Sequence, residues 1–179
     1  MYLNSRNSSG GQPETDGKGT PFRVLFVCLG NICRSPAAEI LFNAAVQHAG
    51  AQGRIAADSC GTASYHIGSK PDSRILAALQ RAGYARGGHR ARQFRRADFE
   101  QFDLIIPQDE SNRADILHLA RTAEQKAKVI PMSRWFPADA ADREVPDPYY
   151  GGEAGFDHVV QLLEHATAAL VQDIEQHRH

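Results

Sequence analysis

Residues Phe22-Arg23-Val24-Leu25-Phe26-Val27-Cys28-Leu29-Gly30-Asn31-Ile32-Cys33-Arg34-Ser35 read as a β-strand, a tight loop and the start of a helix. The apolar run ending at Cys28 is too continuous for a half-exposed strand and suits the centre of a parallel sheet. Gly30 and Asn31 supply turn chemistry, and Ser35-Pro36 opens a helical pattern. Backbone N–H groups of such a loop converge in front of a helix N-terminus carrying about half a positive charge, an arrangement that favours anions.

A thiol opens this loop and a guanidinium closes it. The field that holds an oxyanion also stabilises a thiolate, which makes Cys28 a candidate nucleophile beneath a bound phosphate. Arg34 offers a planar fork that matches phosphate oxygens. Ser35 is placed either to cap the helix or to give its hydroxyl to the Cys28 sulfur. A buried cysteine at a strand end with Arg34 on the surface is the competing reading, and it leaves the whole loop unexplained.

Working outward, Ala38, Leu41, Phe42, Ala45 and Val46 keep helical spacing as far as Gly50. A second strand is expected over 54–59, a helix over 71–82 closed by Gly83, a short buried strand over 103–106, a helix over 111–121, a strand over 128–130 and a final helix over 155–176. Strands alternating with helices imply an α/β domain, an open parallel sheet covered on both faces, with ligands beyond the carboxyl ends of the strands. Cys28 lies at such an end.

The chain has 179 residues, 42% hydrophobic and 23% charged, with a net charge of −1. This suits one domain and gives no reason to expect nucleic acid as a partner. No apolar stretch approaches the ~20 residues of a membrane span, so no membrane insertion is expected. Residues 1–20 lack the apolar core of a signal peptide and read as a flexible tail, leaving 21–179 as the domain. Three cysteines without a scaffold pattern argue for a reducing, cytoplasmic setting. Cys28 and Cys33 have the wrong spacing for a zinc knuckle, so no metal is expected.

A carboxylic acid suited to protonating a leaving group lies in Val145-Pro146-Asp147-Pro148-Tyr149-Tyr150-Gly151-Gly152. Prolines on both sides stiffen the backbone at Asp147, and the glycines allow a sharp exit. Alone, Asp-Pro is an ordinary turn. Beside the cysteine loop it becomes a candidate general acid, then base, provided that it enters the reaction protonated.

The stretch Val24 to Glu39 resembles the signature of low-molecular-weight protein tyrosine phosphatases, and Asp147-Pro-Tyr-Tyr-Gly151 resembles that family's second motif. His89-Arg-Ala-Arg-Gln93, Asp98-Phe99, Phe102-Asp103 and Asp109-Glu-Ser-Asn112 are also similar, so the likeness runs from about residue 22 to 172. It implies a three-layer phosphatase domain over 21–179 with a four-stranded parallel sheet. It further implies hydrolysis of phosphotyrosine through a phosphocysteine on Cys28, with Arg34 as clamp and Asp147 as acid. Leu29, Gly30, Asn31, Ile32 and Cys33 would bind the phosphate, and Asn31, Ser35 and His89 would brace the loop. Ile32, Tyr65, Tyr149 and Tyr150 would form the cleft, and Cys33 would protect Cys28 as a disulfide partner. No cofactor is implied. Partners would be phosphotyrosine proteins, an autophosphorylated tyrosine kinase among them, acted on by a monomer or weak dimer.

Two departures from the family pattern bear on the site. Pro107-Gln108 removes a ladder N–H and puts the strand end and Asp109 in question; the long link from Ile130 to Val145 is expected to reshape the cleft rim. Cys60 reads as buried and inert, Trp135 as packing over the sheet edge near the Asp147 loop, and the arginines of 86–96 as a solvated face. Related arsenate reductases relay through further cysteines, and none follows Cys60. Arginine phosphatases favour threonine where Ile32 stands. A non-catalytic phosphopeptide-binding module has no use for a general acid.

Overall fold

The computed structural model describes residues 19–85 and 87–177; most of the expected tail, and Arg86, lie outside them. Strand β1 (Phe22–Cys28) sits between β2 (Ile55–Gly61) and β3 (Leu104–Pro107), all parallel, in the order β2-β1-β3. Central placement explains the unbroken apolar run: Val24 to Val27 are fully buried. Side chains alternate between faces. Val24, Phe26 and Ile106 pack with helices α1 (Arg34–His48), α2 (Ser73–Arg81) and α6 (Glu153–His177). Leu25, Val27 and Ile105 pack on the other face with Phe99 of α3 (Asp98–Gln101) and Ile116 of α4 (Glu110–Leu119). The result is the expected three-layer α/β arrangement.

The sheet has three strands where four were expected. The segment Lys128–Ile130 makes only a bridge: the Ile105 N–H donates to the Lys128 carbonyl (2.9 Å) and the Ile130 N–H to the Ile105 carbonyl (3.0 Å). Two residues on, the next N–H on that side of β3 would belong to Pro107, which has none. The chain then leaves through Pro131 into a 3₁₀ turn, Met132–Trp135. The same proline leaves the inner side of β3 intact, because the Gln108 N–H still reaches the Val27 carbonyl at 2.9 Å. Asp109 therefore arrives at the N-cap of α4, in a capping box with Asn112.

Helix boundaries shift by one or two residues from expectation. α2 begins at Ser73, with Asp72 as its cap accepting the Arg74 N–H (2.8 Å), and Gly83 leaves it at φ +96°. β2 runs on to Gly61 because its register with β1 pairs Gly61 with Cys28. The short α5 (Ala123–Ala127), capped by Thr122, had no periodic signal. Trp135 is a core residue as expected, but at the opposite end of the sheet from Asp147. It shares a hollow with Phe22 and Leu104, at the strand starts, and donates to Asp173 (2.9 Å). Arg92, expected on a solvated face, forks onto Asp58 and the fully buried Asp98 instead.

Candidate active site

β1 delivers Cys28 to the carboxyl edge of the sheet, and the loop turns through Asn31, which adopts φ +56°. This is the left-handed region, which asparagine tolerates better than most residues. Its fully buried side chain is held on every side. The amide donates to Ser35 Oγ (2.9 Å) and Ser59 Oγ (3.0 Å), and Oδ1 accepts the Arg92 N–H (3.0 Å). The Asn31 carbonyl faces His89 Nε2 at 3.0 Å, which makes Nε2 the protonated nitrogen; Nδ1 faces Ser59 and Glu39.

At the sulfur, the Asn31 N–H points to Cys28 Sγ (3.3 Å) and Ser35 Oγ lies 3.0 Å away. Ser35 Oγ is also 3.2 Å from the Cys60 carbonyl. A thiol donates to Ser35 while Ser35 donates to Cys60; with a thiolate, Ser35 turns its single proton to sulfur. The hydroxyl is satisfied in both states. Ser35 is thus not the cap: α1 starts at Arg34, and its cap position, Cys33, makes no side-chain capping bond. With no acidic residue in its first turn, the N-terminus of α1 is a favourable place for an anion.

β2 presses against the loop. A Cβ at Gly61 would sit 2.6 Å from the Leu29 carbonyl, whereas one at Gly88 would meet nothing. Gly61→Ala is expected to cost about 1–3 kcal/mol of stability and to lower turnover by displacing the loop, with Gly88→Ala as the silent control; thermal unfolding and initial rates check both.

Arg34 is buried and split between two tasks. Nη1 donates to Asp109 Oδ2 (2.6 Å) and the Val145 carbonyl (3.1 Å). Nη2 lies 3.7 Å from Asp147 Oδ2, and Nε is buried without a protein partner. Burial acts to lower its pKa, but the charges of Cys28, Asp109 and Asp147 outweigh this and hold it above the usual arginine value. A cavity of about 300 Å³ opens over these groups, walled by Tyr65, His66, Tyr149 and Tyr150.

A family profile described as low molecular weight phosphotyrosine protein phosphatase matches residues 23–179. The chain belongs to the low-molecular-weight protein-tyrosine-phosphatase family. A relative from Synechocystis is 49% identical over 152 residues, covering 85% of this phosphatase and 96% of its own length. The low molecular weight protein-tyrosine-phosphatase of Streptomyces coelicolor is 41% identical over 87% of this chain and 94% of its own. The crystal structure of a protein tyrosine phosphatase from Entamoeba histolytica superposes with a TM-score of 0.83 at 37% identity, covering 88% of this chain and 99% of that one.

In this phosphatase Cys28, Leu29, Gly30, Ile32, Cys33, Arg34, Tyr65, Asp147, Tyr149 and Tyr150 all line the cavity, while Asn31, Ser35 and His89 lie behind it. The 130–145 link was expected at the cleft rim. It instead packs Met132 and Trp135 into the core and surrounds a separate surface hollow around Pro137. Sequence reasoning missed His66, Ser59 and Arg74. His66 adjoins Tyr65 and its ring covers Gly30, where a Cβ would meet it at 2.8 Å. Asp72-x-Arg74 after Pro71 was readable as a helix cap, but Ser59 carried no signal. Among the described residues, no cluster of three His, Cys, Asp or Glu side chains could hold a metal ion, and no helix is long and apolar enough to cross a membrane.

Proposed function

We propose that this phosphatase hydrolyses phosphotyrosine in proteins, with Cys28 as nucleophile, Arg34 as phosphate clamp and Asp147 as general acid and then base. The carrying observation is the state of Arg34. Asp109 and Val145 occupy Nη1, while on the edge that forks onto phosphate Nε is buried without a partner and Nη2 meets only the Asp147 carboxyl group, at 3.7 Å.

The Cys28 thiolate attacks phosphorus, forming an S–P bond as the P–O bond to the phenol breaks; Asp147 passes its proton to the departing oxygen. Water then attacks the phosphocysteine, Asp147 takes its proton, and phosphate and the thiolate are released. Loop N–H groups and the Arg34 fork hold the three oxygens on which charge accumulates. The Cys33 thiol is pushed well up, by burial first and then by Asp72 and Cys28. It stays protonated and does not compete with Cys28 for phosphorus; the same protonation slows it as a protective disulfide partner.

Tyr65 and Tyr150, 71% and 94% exposed, stand ready to flank a phenyl ring. Ile32 in the cavity lining supports phosphotyrosine over phosphoarginine. An autophosphorylated tyrosine kinase is a fitting substrate. Phosphotyrosine, phosphoarginine and phosphoserine peptides assayed side by side should give turnover on the first, and preference for phosphoarginine would overturn the assignment. Asp147→Asn should slow phenyl phosphate about 10²–10³-fold while slowing an aryl phosphate with a strongly acidic phenol far less. Equal slowing of both would remove Asp147 from the acid role.

A further inference from the structure

Arg74 lies outside the proposed chemistry, yet its side chain joins the two halves of the site. Its Nε and Nη2 fork onto the Asp72 carboxylate (3.0 and 2.8 Å), and Nη1 donates to the Tyr149 carbonyl (2.8 Å). The guanidinium carbon lies 5.1 Å from the Tyr149 ring centroid and 4.7 Å from that of the buried Phe156. Asp72 gives its own N–H to the Ile32 carbonyl of the phosphate loop (2.8 Å). The start of α2 is therefore fastened to the phosphate loop on one side and to the Asp147 loop on the other.

Tyr149 is the residue through which this matters. Its N–H donates to Asp147 Oδ1 (3.1 Å), so its amide orients the carboxyl group while Arg74 holds its carbonyl and ring. The following turn is closed by the Gly151 N–H on the Pro148 carbonyl (2.9 Å), a contact internal to the loop. The geometry points to Arg74 as a positioning residue: it fixes Tyr149, and Tyr149 sets the carboxyl group of Asp147 relative to the leaving oxygen. Arg74 touches neither phosphorus nor the departing group. This inference rests on Asp147 being the general acid.

The signature is selectivity among leaving groups. A misplaced acid harms expulsion of a basic phenoxide and hardly affects one that departs unaided. Arg74→Met should slow phenyl phosphate about tenfold more than an aryl phosphate with a strongly acidic phenol. Arg74→Lys, which keeps one donor but loses the fork, should fall between Met and wild type. Inhibition by inorganic phosphate should stay within about twofold in both variants, because the loop that binds the anion keeps its own hydrogen bonds. Adding Arg74→Met to Asp147→Asn should produce no further selectivity, since both act through one group. Equal slowing of both substrates by Arg74→Met, with Asp147→Asn selective, overturns the positioning role alone. An unselective Asp147→Asn removes the acid assignment and this inference with it.

Discussion

Cys28→Ser is expected to lower turnover of an aryl phosphate by at least about 10⁴-fold while leaving affinity for inorganic phosphate within a few-fold of wild type. The split follows from what surrounds the sulfur. Its hydrogen-bond neighbours are the Asn31 N–H and the Ser35 hydroxyl. They stabilise an anion already formed, and neither is a base able to take a proton from serine. A serine hydroxyl is a far weaker acid than a thiol and needs a base that neither neighbour supplies. The proposed phosphate binding draws instead on loop N–H groups and Arg34, which the substitution leaves in place. Trapping of a covalent phosphoenzyme from the parent and its absence in the variant supplies the second measurement. Substantial turnover by the serine variant would dismiss Cys28 as nucleophile.

Arg34→Lys should lower kcat/KM about 10²–10³-fold, with weaker phosphate inhibition accompanying the loss of rate. An ammonium is a point charge and cannot place two parallel donors on phosphate oxygens. It also cannot bind Asp109 and the Val145 carbonyl through one nitrogen while keeping another edge for substrate, as Arg34 does. Losing those internal bonds leaves buried acceptors short of donors and should lower stability by about 1–3 kcal/mol. Thermal unfolding measures that part, and phosphate inhibition measures the clamp. Unaltered phosphate affinity in a folded Arg34→Lys protein would rule out the clamp.

The two substitutions differ in what they reveal about legibility. Cys28 and Arg34 were readable from local sequence because the strand, the turn residues and the helix start confine them to one short loop. The attachment of Arg34 to Asp109 and Val145 was not readable, since the partners lie 75 and 111 residues away. Hydrophobic periodicity reports which face of an element is inward; it does not report which polar groups meet beyond the strand ends. His89 came from family resemblance, and its place beneath the Asn31 carbonyl from the fold.

By itself the sequence determined a central apolar strand ending in a tight loop that opens with a thiol and closes with a guanidinium, an α/β sheet covered on both faces, and a proline-stiffened carboxyl group at Asp147. These rest on local propensity, side-chain period and turn chemistry, all written over a few adjacent residues. The tertiary structure decided the rest. Pro107 cut the fourth strand to a bridge because its missing N–H faces that edge. Ser35 became a partner of sulfur because α1 begins a residue before it. Arg74 joined the start of α2 to the Asp147 loop because packing brought α2 against Tyr149. In each case the folded chain selects which donor meets which acceptor, or which acceptor finds none, across separations that reach the 75 residues between Arg74 and Tyr149.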